Sequence, residues 1–135
     1  MKTADLIGPA LDWAVAKAKG LLDADIKVGK ATCEAVEQDG RHGVVDMRYG
    51  FYFRPSTDWS QGGPIIESER ITIKCWHFSQ LWHAGMNEKL RYTDKGEFID
   101  GSDFPASGLT PLIAAMRCYV ASKLGDEIDV PKELL

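Results

Sequence analysis

Apolar and polar residues change rhythm along the chain, and each change marks an element. Leu11, Ala14, Val15 and Ala18 recur at helical spacing. Pro9 suits a first helical turn, where a missing N–H costs nothing, and Lys17, Lys19 and Gly20 supply a C-terminal end. The pattern predicts a helix over about 9–19. Ile26 and Val28 then alternate with Lys27, with Ala31, Cys33 and Ala35 continuing a strand, and the polar run Glu37 to Gly43 reads as a turn. From Val44 to Arg54 the period is two. Val45, Met47, Tyr49, Phe51 and Phe53 share one side, and Asp46, Arg48 and Arg54 the other. This predicts one strand with a buried face that holds Phe51 and leaves Tyr52 outside.

Ile71, Ile73 and Cys75 alternate with Thr72 and Lys74 in a further strand. Leu90 to Tyr92 and Glu97 to Ile99 flank Thr93-Asp94-Lys95-Gly96, the pattern of a small hairpin. The last third carries the strongest helical signal. Thr110 fits an N-cap and Pro111 the first helical position, and Leu112, Ile113, Met116, Tyr119, Val120 and Leu124 form a broad apolar stripe. Lys123 and Gly125 mark its end. Together these elements predict an α+β fold: one antiparallel sheet of about four to six strands, packed by an N-terminal and a C-terminal helix.

Composition sets outer bounds. A chain of 135 residues with 44% hydrophobic residues fits one domain, 1–135, around one core. The net charge of -4, with basic residues scattered, argues against sequence-independent nucleic-acid binding. Three cysteines, Cys33, Cys75 and Cys118, lie without paired spacing, which fits neither a disulfide framework nor a zinc knuckle. No secretory leader is readable at Met1 to Asp5, and no apolar run approaches ~20 residues, so no membrane partner is expected. A cytoplasmic protein with reduced thiols is the expectation.

The candidate chemistry gathers in Pro55-Ser56-Thr57-Asp58-Trp59-Ser60-Gln61-Gly62-Gly63-Pro64. Ser56, Thr57, Asp58 and Gln61 offer donors and acceptors beside the Trp59 face, Gly62 and Gly63 leave the backbone open to a ligand, and Glu67 follows. That mixture suits a pocket for a polar, ring-bearing molecule. The same side chains also suit an elaborate turn, with Gly62-Gly63-Pro64 reversing the chain into a strand at Ile65. The spacing matches neither a phosphate loop nor a dinucleotide turn. At the last helix, Thr110 either caps its own helix or leaves N–H groups for an anion, and Arg117 either lies along the helix edge or turns to Asp58, Glu67 or a ligand phosphate. These two regions could face one another across a shared pocket. In Cys75 to His83 an unbroken strand would place Cys75, His77 and His83 on one face, but the ligand set for zinc is incomplete. No metal, cofactor or catalytic residue is expected.

The segments Pro55 to Glu67 and Thr110 to Gly125, with Gly8 to Ala18 upstream, resemble the NinX-like family of small bacteriophage and prophage proteins, a domain of unknown function. The resemblance spans nearly the whole chain and departs most between Arg70 and Phe104. It implies a temperate-phage or prophage gene product in the cytoplasm of a bacterial host, and carries over no activity and no catalytic residue. The functional expectation is a non-catalytic accessory protein that binds a nucleotide-like small molecule, as in counter-defence capture of a host signal. The alternative is a module that binds a host protein through aromatics such as Trp76 or Trp82. A hydrolase using Asp58 or Glu67 as general base comes third. Self-association into a homodimer is compatible with either binding reading.

Overall fold

The computed structural model describes residues 1–22, 26–30, 42–46, 50–75, 78–86, 91–92, 95, 98–99 and 104–135. The element order is α1 (Gly8–Ala18), β1 (Ile26–Lys30), β2 (His42–Asp46), β3 (Phe51–Tyr52), α2 (Trp59–Glu69), β4 (Thr72–Cys75), β5 (Trp82–Gly85), β6 (Arg91–Tyr92), β7 (Phe98–Ile99), β8 (Ala106–Gly108) and α3 (Pro111–Leu124). The α+β class is as the periodicity indicates. The expected single sheet is not. Among the described residues, β1-β2-β3 and β4-β5-β8 form separate three-stranded antiparallel sheets, and β6 pairs with β7 alone.

The helix starts and stops follow the local chemistry. α1 has Pro at its first turn and ends where Gly20 takes a φ of +73°. There Leu21 N–H reaches Ala16 O at 2.9 Å and Gly20 N–H reaches Lys17 O at 3.0 Å, closing off the last carbonyls. In α3 the Thr110 hydroxyl accepts from Ile113 N–H at 3.1 Å, as a cap should. Leu112 to Met116 and Cys118 to Val120 are all buried. α3 is the centre of the core, packing on α1, α2, β4, β5 and β8.

The stretch Val44 to Arg54 corrects the period-two reading. It is not one strand but β2, a reversal, and β3, with Asp46 opposite Phe51. Gly50, at φ +73°, donates from its N–H to Asp46 O at 2.8 Å and closes the reversal. The faces are therefore exchanged: Val44 and Asp46 are buried, Phe51 is 50% exposed, and Tyr52 is partly covered with its hydroxyl inside. Only Phe53 keeps its expected place in the core. Met47 and Tyr49 lie outside the described residues, as do Ala31, Cys33, Ala35 and most of the Glu37 to Gly43 turn.

Cys75 to His83 is likewise not an unbroken strand. β4 ends at Cys75 and β5 begins at Trp82, and these two residues are partners across the pair. Trp76 and His77 lie outside the described residues. The pairing of Arg91–Tyr92 with Phe98–Ile99 matches the predicted hairpin, whose Leu90 and most of whose turn are likewise outside them.

Candidate functional site

The polar segment after β3 is a helix start. The expected turn at Gly62-Gly63-Pro64 lies inside α2, and Ile65 is a buried helical residue rather than the start of a strand. Local propensity opposes this, since two glycines and a proline are poor helix formers. Capping and packing decide it. Asp58 Oδ1 accepts from Ser60 N–H at 2.9 Å and from Ser60 Oγ at 2.6 Å, and Oδ2 lies 3.4 Å from Gln61 Nε2. The Ser60 bonds, first that of the hydroxyl, hold the Asp58 carboxyl below its ordinary pKa.

Gln61 spans the base of the segment. Its Oε1 accepts from Arg54 N–H at 2.8 Å, and its Nε2 donates to Tyr52 O at 2.9 Å. Gly62 is where α2 meets α3: a Cβ there would lie 2.5 Å from Pro55 O and 2.6 Å from Leu112 Cδ2. The loop and the start of the last helix thus do approach one another, but in direct contact at this point. Gly63 borders open space, Thr57 and Glu67 are exposed, and Trp59 stands 55% exposed.

Ser56 is tied inward, to a residue that the sequence reading passed over. Its N–H donates to Asp12 Oδ1 at 2.8 Å, and both residues are buried. The Ser56 hydroxyl lies beside the same carboxylate without completing a well-aligned bond. Burial drives the Asp12 carboxyl from 3.8 up to about 7, against the bonds from Ser56 and the charge of Arg54. The signal was present: Asp12 sits between Leu11 and Trp13 in the most apolar turn of α1.

Arg117 belongs to a different place. Its Nε donates to Leu6 O at 2.8 Å and its Nη1 to Ser107 O at 2.9 Å, so it bonds neither Asp58 nor Glu67. Nη2 makes no hydrogen bond among the described residues. Burial lowers the guanidinium's pKa and Asp5 acts in the opposite sense, yet no ion pair forms with Arg117 among the described residues. The side chain forms part of the wall of a cleft of about 220 Å³, together with Lys2, Ser107, Ala121, Asp126 and Glu127.

The same residues place the protein among known sequences. Residues 2–123 match the family described as Bacteriophage P22, NinX. The chain belongs to this NinX family. No curated protein matches it. The NinX match takes in Asp12, the α2 cap, Lys2 and Arg117, whereas Asp126 and Glu127 lie beyond it. Among the described residues no cluster of His, Cys, Asp or Glu could hold a metal ion, and no helix is long and apolar enough to cross a membrane.

Proposed function

We propose that this NinX protein is a non-catalytic phage accessory protein that binds a small, polar, anion-bearing molecule in the Arg117 cleft. One observation carries the reading. A partly buried guanidinium is fixed by two neutral main-chain carbonyls, faces a cleft and, among the described residues, keeps one nitrogen unspent. Its direct bonds go to neutral groups and Asp5 acts on it without forming an ion pair, so an anion that can take the remaining donors is favoured. At about 220 Å³ the cleft suits a metabolite smaller than a drug-sized ligand, for which ~300–1,000 Å³ is usual. The nucleotide-like class suggested by the mixed chemistry of Ser56 to Glu67 is one candidate, and capture of a host signal is the role that a phage setting would give it.

The competing readings draw on less. Hydrolysis with Asp58 as base runs against a carboxyl whose pKa is lowered, since a general base works best near the ambient pH. Asp12 has a pKa nearer that range but is 4% exposed, out of reach of a substrate. A host-protein surface has support in the exposure of Trp59 and Phe78, at 55% and 77%. Trp82, by contrast, packs against the core.

Native mass spectrometry of protein purified from a bacterial lysate tests the proposal. The expected result is a small anion that dissociates on denaturation and is missing from Arg117→Gln that remains folded by circular dichroism. A ligand-free protein that instead captures a host protein, with capture lost in Trp59→Ala, would replace this reading with the second.

A further inference from the structure

Resting on that reading of the cleft, we infer that its ligand is a small zwitterion, with a carboxylate on Arg117 and an ammonium group on Asp126 and Glu127. The far wall is built from the chain after α3. Gly125, at φ +88°, turns that chain away from the helix, and its carbonyl accepts from Thr3 Oγ1 at 2.7 Å. Asp126 O accepts from Thr3 N–H at 2.8 Å, and Lys2 and Glu127 are backbone partners. Ile128 N–H bonds Met1 O at 2.9 Å, and the Met1 ammonium donates to Ile128 O at 3.0 Å. These bonds fix the main chain that carries Asp126 and Glu127 beside the cleft without using the carboxylates themselves.

Among the residues lining the cleft the charges balance in number, and Asp5 adds a further negative charge near Arg117. The wall has two cations, Lys2 and Arg117, and two anions, Asp126 and Glu127, and no ion pair joins any of them among the described residues. A dianionic phosphate entering to meet Arg117 would share the cleft with both carboxylates, which costs affinity. A molecule with one charge of each sign meets both demands, and Pro105, Ala106 and Ala121 leave an apolar floor for a short carbon chain between them.

The test uses the full chain and a series of unbranched amino acids, from glycine to 6-aminohexanoate. Each is titrated by NMR chemical-shift perturbation against the carboxylate of the same length without the amine, and AMP is included. The expected result is that one length of amino acid binds about threefold to tenfold more tightly than its amine-free counterpart, the scale of a partly exposed ion pair. In Asp126→Asn/Glu127→Gln, two exposed positions, that preference should vanish while carboxylate binding stays. Equal binding of amino acids and plain carboxylates, or tighter binding of AMP, would overturn the zwitterion and leave the small-anion reading standing. An absence of shifts at Arg117 and Ser107 with every probe would overturn both the zwitterion and the small-anion reading.

Discussion

The segment Ser56 to Gln61 and the Arg117 cleft differ in how their polar groups are spent. The first is dense with functional side chains, yet Asp58 and Gln61 are bonded within the segment or to the strand before it, and Ser56 is bonded through its N–H to Asp12. The second, lined by Lys2, Thr3, Ser107, Arg117, Asp126 and Glu127, leaves a guanidinium nitrogen and two carboxylates outside any pairing among the described residues. A ligand competes for groups with bonds to offer. Richness in polar residues therefore says less about binding than the count of donors and acceptors that folding leaves over.

The largest expected effect tests the buried anchor of the first region. The folded state holds the Asp12 proton more tightly than the unfolded chain, because its pKa rises from 3.8 to about 7 on folding. Its contribution is thus fully present below about pH 4 and is lost as the pH rises through about 7. Asp12→Asn retains an acceptor for Ser56 N–H and removes the buried charge. Urea melts should show it gaining about 2–4 kcal/mol on the native protein between about pH 4 and pH 8. A difference that is flat with pH would mean that Asp12 is not a desolvated acid.

A glycine pair provides the next test, of whether the segment is closed against α3. Gly62→Ala should destabilise by about 1–3 kcal/mol, because Pro55 O and Leu112 stand where the methyl would go. Gly63→Ala meets nothing within 4 Å and should stabilise α2 by up to about 1 kcal/mol. Equal effects would show a gap at Gly62 wide enough to reopen the idea of a shared pocket there. The smallest effect concerns the helix start. Thr110→Ala should cost about 0.5–2 kcal/mol by removing the cap on Ile113 N–H, with Thr110→Ser largely restoring it. A gain in anion affinity at α3 in Thr110→Ala would mark its N-terminus as a suppressed binding site.

Legibility in the sequence followed the range of the interactions. α1 and α3 were readable because their caps, prolines and glycine stops act within a few residues. β2 and β3 were misread as one strand, since alternation continues on paper through the reversal at Gly50 while the faces exchange in space. α2 was hidden because Gly62 and Pro64 read as breakers, while the close approach of Gly62 to Leu112 depends on a residue fifty positions away. The candidate site divides in the same way. Arg117 was visible as a residue out of place in an apolar helix, but its partners, Leu6 O and Ser107 O, are main-chain atoms that no side-chain pattern encodes.

The unfavourable composition of α2 has a consequence in time. Two glycines and a proline in its middle set it back by roughly 5 kcal/mol relative to alanines, far beyond what an isolated eleven-residue helix could absorb. α2 cannot precede its surroundings: α3 must already present Leu112, and α1 must already present Asp12, before the turn from Pro55 onward has a surface to wind against. This helix is therefore expected to condense after the folding barrier and to open ahead of α3 when the native state fluctuates. Substitutions within it should hasten unfolding and leave the folding rate nearly untouched, and its amides should exchange with solvent ahead of those in α3.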